Sequence, residues 1–378
     1  MKKFLLIALF ALFLPLAALA DQAAEITKEA SFSIPNMVNG TRNRMLDRNS
    51  ETAMQTGKSK EPLVNVTLEG TPCAAVYIDF GNNIMPFTVQ VQEGKEWVDI
   101  AAWNQPYAQA YVEFAPQTAF RLRFETGGKA TALFIREIYL FTEGEMTEIP
   151  HVWEPPCEKA DLLLLVGHPD DELLWFGGLL PTYASELRKK VQVTFIHTGT
   201  RADRRNELLD ALWHCGVKHY PNLPEEKWNP DMPAYVVRTI RQVKAPVVVT
   251  QDVNGEYGNE NHKRMVAAVI EAVTGQCADP EIQPDSAAGF GVWQPKKLYV
   301  HLWPENESIF DWSQKLTTMK GKTGFQIAEA AFRRHMSQQN GRHQVLMSGK
   351  YDCRRLGLYF TLVGPDDTTK PDLLQHIE

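Results

Sequence analysis

The segment Gly167-His168-Pro169-Asp170-Asp171-Glu172 sets four titratable side chains directly after the apolar run Leu162-Leu163-Leu164-Leu165-Val166. His168 and Asp171 bracket Pro169, which stiffens the turn, so one loop can direct an imidazole and a carboxylate at a single cation. That donor pair suits Zn2+. A second polar stretch, Gln251 to His262, follows the apolar run Val247-Val248-Val249-Thr250. His262 shares the apolar face of a helix with Met265, Val266, Val269, Ile270 and Val273, so it points inward. His168, Asp171 and His262 would form a His2Asp set. Three protein ligands leave a fourth position for water, which is the pattern of a catalytic zinc and not of a structural one. Asp170, next to a ligand and not required as one, is the candidate general base. Either segment alone reads equally well as ordinary structure. Complementary ligands behind two buried strands point to a metal site.

The elements that must hold these groups alternate between strand and helix from residue 161 onward. Runs at 162–166, 191–196, 247–250 and 298–301 read as strands. Helices are expected from Asp203 as a cap to a stop at Gly216, from Pro233 in a first turn, and from about Asn261. Alternating β and α implies a mostly parallel sheet covered by helices, and in such sheets ligands gather at the carboxyl ends of the strands. Residues 31–142 differ. Short alternating runs such as Val76 to Phe80, Phe120 to Phe124 and Phe134 to Tyr139 suit an all-β sandwich or jelly roll. Pro150, Pro155 and Pro156 mark a linker near 151–160. The expected organisation is residues 1–20 as an export signal, 21–150 as a β-sandwich, 151–160 as linker and 161–378 as an α/β domain.

Lys2 and Lys3, an apolar stretch from Phe4 to Ala17 and the small residues Ala18 and Ala20 form the export signal, with cleavage expected before Asp21. The expectation is a secreted or periplasmic protein with no membrane attachment after cleavage. The 378 residues carry a net charge of −7, which argues against a nucleic-acid partner. Five widely spaced cysteines, Cys73, Cys157, Cys215, Cys277 and Cys353, contain no C-x-x-C pair, and their odd number leaves at least one unpaired. Buried thiols with at most one or two bridges are the plain expectation.

The Gly167–Glu172 segment resembles the signature of the LmbE/PIG-L family of zinc-dependent N-acetylglucosaminyl deacetylases. Further similarity runs over about residues 161–275. Arg204-x-x-Glu207-Leu208 with Gly216-Val217, and Gly255-Glu256-Tyr257-Gly258 with His262, resemble that family's other motifs. His335-x-Ser337-Gln338 resembles a C-terminal H-x-S-Q. The resemblance implies a Rossmann-like three-layer domain and hydrolysis of an N-acyl group from an amino sugar. It gives His168, Asp171 and His262 the zinc-ligand positions, Asp170 the general-base position, and Tyr257 a role in stabilising the oxyanion. Arg204 and His335 are candidate substrate contacts, although Arg204 and Glu207 also read as a structural pair one helical turn apart. Asn259 stands where the family usually has a His. Asn donates a hydrogen bond and transfers no proton at neutral pH.

The β half resembles a discoidin or galactose-binding-like jelly roll, on Leu46-Asp47-x-Asn49-x-x-Thr52 and the closing Arg136 to Leu140. Such domains often bind carbohydrate, and the resemblance implies a possible structural Ca2+ near Asp47, Asn49, Thr52 and Glu137. The leading expectation is an exported zinc deacetylase of N-acetylated sugars with a targeting β-domain. One alternative is a glycan-binding protein whose deacetylase domain is degenerate through Asn259. Another is an amidase on sugar-thiol conjugates.

Overall fold

The computed structural model describes residues 22–49, 51–146, 149–197, 201–224, 231–282 and 289–377. The candidate export signal at 1–20 lies outside the described residues. No helix among the described residues is long and apolar enough to cross a membrane.

The first half is all-β, with only short 3-10 turns. Strands β1 (Ala30–Ser33), β3 (Leu63–Leu68), β8 (Ala119–Phe124), β5 (Phe87–Glu93) and β6 (Glu96–Trp103) form one sheet in that order. Strands β2 (Met54–Gln55), β9 (Phe134–Phe141), β4 (Cys73–Phe80) and β7 (Gln109–Gln117) form the other. All of these pairings are antiparallel. Alternation along β8 shows why: Phe120, Leu122 and Phe124 are buried while the residues between them are not.

The second half carries a six-stranded sheet. Its strands are β10 (Leu162–Val166), β11 (Val191–Phe195), β12 (Val247–Thr250), β13 (Lys297–His301), β14 (Glu307–Ile309) and β15 (Arg355–Thr361), in the order β11-β10-β12-β13-β15-β14. The first four run parallel, and β15 and β14 close the edge antiparallel. The strand β10 is fully buried, because both of its faces meet core. Leu162, Leu164 and Val166 face one cluster, and Leu163 and Leu165 face the other. Helices α3 (Met232–Val243) and α4 (Glu260–Glu271) cover the second face; α1 (Asp171–Leu174), α2 (Ala202–His214) and α5 (Gly324–Phe332) lie on the first. The chain leaves β10 to one side for β11 and returns on the other as β12. The crevice between the ends of β10 and β12 is therefore the switch point where such sheets bind ligands.

One local expectation is corrected. Asp203 does not cap α2; Arg201 holds the cap position in extended conformation, and Asp203 sits in the first turn paired with Arg201. A carboxylate there still complements the helix dipole. All five cysteines are free and buried.

The halves are fastened together. Asn206 on α2 donates to Asp79 Oδ1 at 2.6 Å and to the Phe80 carbonyl at 2.9 Å, and Gln109 donates to Asp210 at 2.9 Å. One apolar cluster runs from the sandwich interior to the first face of the α/β sheet. On β13, Lys297 Nζ is fully buried against Asp366 at 2.5 Å, and Tyr299 hydrogen-bonds the same carboxylate, pinning the C-terminal segment. Substituting Lys297→Met alone strands a buried carboxylate and should cost about 3–5 kcal/mol. Urea unfolding checks this, and Lys297→Met with Asp366→Leu should recover most of the loss.

Candidate metal centre

The strand β10 ends at Val166, and Gly167 turns the chain. A Cβ on Gly167 would lie 2.8 Å from His262 Cδ2 and 3.1 Å from Asp171 Oδ2, so only glycine admits the two ligands this close to the backbone. His168 Nδ1 lies 2.8 Å from His262 Nε2. Asp171 Oδ2 lies 3.4 Å from His168 Nδ1 and 3.3 Å from His262 Nε2. The three ligand atoms lie within 4.8 Å of one another, and among the described residues this is the one such group of His, Cys, Asp and Glu suited to a metal ion. Two imidazole nitrogens and one carboxylate oxygen fit Zn2+ by donor type.

Each ligand is held from behind. Trp175 Nε1 donates to Asp171 Oδ1 at 2.7 Å, and the His168 amide donates to Asp171 Oδ2 at 2.7 Å. Gln251 Oε1 accepts from the Gly167 amide at 2.7 Å, while its Nε2 lies 3.2 Å from His262 Nδ1. Such partners fix ring orientation and tune affinity. Burial opposes the charge on Asp171, but His262 and His168 hold its carboxyl well below the usual range.

Asp170 adopts φ 107°, a left-handed backbone that a non-glycine residue rarely takes. Its amide donates to Glu172 Oε2 at 2.8 Å, and Glu172 Oε1 meets His335 Nε2 at 2.9 Å. Burial, then the neighbouring Asp171, pushes the Asp170 carboxyl well above its ordinary value. Arg204 lies 3.8 Å from Asp170 Oδ2 and donates to the Pro169 carbonyl at 2.7 Å.

These contacts rearrange two expectations. Arg204 and Glu207 are not a pair: Arg204 braces the Pro169–Asp170 turn, and Glu207 accepts from Ser337 N and Oγ at 2.9 and 2.6 Å. His335 stands just past α5, fully buried behind the loop, where it meets Glu172 and not the open side. A one-turn spacing could not reveal that both motifs reach across the fold.

Tyr257 is half-exposed beside His262, with ring centroids 5.7 Å apart. Asn259 Nδ2 donates to its hydroxyl at 3.3 Å. Asn259 is also the N-cap of α4, its Oδ1 accepting from Asn261 N and His262 N. Asn259→Ala should therefore cost about 1 kcal/mol of stability, read as a lower unfolding midpoint. Sequence reading passed over His197, which follows β11 as His168 follows β10, with ring centroids 5.5 Å apart. It also passed over the buried Glu256–His301 pair at 3.0 Å that supports the Gly255–Gly258 loop. Strand-end position could have flagged His197.

The calcium candidates have partners of their own. Asp47 accepts from Asn49 N at 3.0 Å and Thr52 Oγ1 at 2.9 Å, and Glu137 pairs with Arg48 at 3.0 Å.

A mostly parallel α/β sheet thus carries a His-Asp-His cluster at its switch point, which is a candidate metal centre. Residues 163–273 match the family described as PIG-L: GlcNAc-PI de-N-acetylase. Over 194 residues the chain is 27% identical to a 1D-myo-inositol 2-acetamido-2-deoxy-alpha-D-glucopyranoside deacetylase 1 of Catenulispora acidiphila, covering 40% of this chain and 58% of that one. Over 131 residues it is 30% identical to the N-acetylglucosaminyl-phosphatidylinositol de-N-acetylase of Bos taurus, covering 30% of this chain and 51% of that one. The chain thus spans little more than half the length of these curated relatives. Among solved structures, N,N'-diacetylchitobiose deacetylase from Pyrococcus horikoshii matches with a TM-score of 0.38 and 18% identity, over 48% of this chain and 72% of that one.

Proposed function

We propose that this protein is an exported, zinc-dependent hydrolase that removes N-acetyl groups from amino sugars or glycans. The observation that carries the reading is the convergence of His168, Asp171 and His262 at the switch point, with Asp170 beside them and outside the ligand set. The family match over residues 163–273 supports it.

Zn2+ held by His168, Asp171 and His262 would supply Lewis acidity to the amide carbonyl and make water acidic enough to attack at neutral pH. Asp170 takes the proton of the attacking water as the new C–O bond forms. Tyr257 donates a hydrogen bond to the oxyanion of the tetrahedral intermediate. As the C–N bond breaks, Asp170 returns the proton to the leaving nitrogen, giving acetate and a free amine. Arg204 steadies the loop that carries Asp170, and Glu172 fixes its backbone.

The test is acetate release by the purified full chain from N-acetylglucosamine oligosaccharides. Turnover should disappear with a chelator and return with zinc. Release that ignores the chelator would overturn zinc dependence. No release from any N-acetylated sugar would favour a glycan-binding protein. Mass spectrometry of the exported fraction should find a chain beginning at Asp21.

A further inference from the structure

A cleft of about 840 Å3 opens between the two halves, and none of His168, Asp171 and His262 lines it. Asp79, Glu137 and Tyr139 come from the sandwich; Asp210, Trp213 and Arg334 come from the α/β domain. The walls are set in advance, because Gln109 holds Asp210 and Asn206 holds Asp79 across the junction. Clefts of this size at domain junctions, with a few convergent polar groups, are typical of ligand sites.

Glu137 is the telling residue. Its Oε2 accepts from Arg48, while Oε1 is buried with no hydrogen-bond partner. A buried acceptor left unmade is costly, and a ligand hydroxyl would satisfy it. Burial lifts Glu137 to about 7 and Asp210 to about 6, so each can accept from or donate to a hydroxyl near neutral pH. Arg48 stacks over Tyr139 at 3.7 Å and is already paired with Glu25 and Glu137, whereas Lys218 Nζ lies 3.3 Å over the Trp213 ring. An aromatic face orients a cation without cancelling its charge. Five lining side chains are Lys or Arg and three are Asp or Glu, so the lining favours an anionic group.

We propose that this cleft binds a saccharide unit bearing an acidic group, at a site separate from the metal centre. The choice of a saccharide rests on the deacetylase reading. Helix α2 links the two places: Arg204 braces the Asp170 turn, and Asp210 and Trp213 line the cleft about 9–14 Å further along the axis.

Calorimetric titration of the full chain carrying His262→Ala, which blocks turnover, tests this. The probes are a tetrasaccharide alternating N-acetylglucosamine with glucuronate, and a neutral tetramer of N-acetylglucosamine. The acidic probe should bind about tenfold tighter, and Glu137→Gln or Lys218→Met should weaken it by about tenfold or more. Glu137→Gln is nearly isosteric, and its unfolding midpoint verifies that it folds. Unchanged affinity in both variants, equal affinity for the two probes, or binding of neither overturns the proposal. Failure of the unsubstituted chain to release acetate, with cleft binding intact, would instead remove the deacetylase reading and leave the subsite standing.

Discussion

Asp170→Asn should reduce acetate release by about 10²–10⁴-fold, the usual contribution of a positioned general acid–base group, with metal content unchanged. The substitution keeps the shape of the side chain and the backbone amide that Glu172 holds. It removes only the ability to take and return a proton. The separation of roles is geometric: the ligand cluster is complete without Asp170, whose carboxylate lies toward Arg204. Initial rates and metal analysis on the same preparation decide the matter. Undiminished turnover would move the proton transfer elsewhere. Loss of metal along with turnover would make Asp170 part of the metal-holding structure.

His262→Ala should lower bound zinc from about one per chain to near zero, with acetate release falling alongside. His262 is fully buried and its ring faces both other ligands. Removing a buried ring also leaves a cavity, so the unfolding midpoint must be recorded to separate loss of metal from loss of fold. Asn259→Ala is the informative control, since it weakens the cap of the same helix while leaving all three ligand side chains in place. Zinc retained in a folded His262→Ala chain would mean that the ligand set lies elsewhere.

Much of this centre was legible because its signals are local. An unbroken apolar run such as 162–166 can be buried only on both faces, and polar residues right after it must sit at the strand's carboxyl end. His262 betrayed itself by sharing a helix face with Met265, Val266 and Val269, all of which are buried. What remained hidden was non-local. Nothing near Arg204 or Glu207 says that one reaches Pro169 and the other Ser337. Nothing near His335 says that it will lie under Glu172, 163 positions away in the chain. The left-handed backbone at Asp170 was likewise not legible from the Asp-Asp pair.

The sequence also suggested a sandwich that targets glycan as a separate attachment. The apolar cluster that runs unbroken from the sandwich into the α/β sheet gives the pair a different character. Cutting the chain between them would bare the surfaces that Tyr107 and Tyr220 bury against each other, with ring centroids 4.3 Å apart, and would strand the Asn206 and Gln109 hydrogen bonds. The two halves are therefore expected to share their free energy of folding and to melt together. A change deep in the sandwich should then also change how long the loops of the candidate metal centre stay assembled, with the β half as a thermodynamic keel.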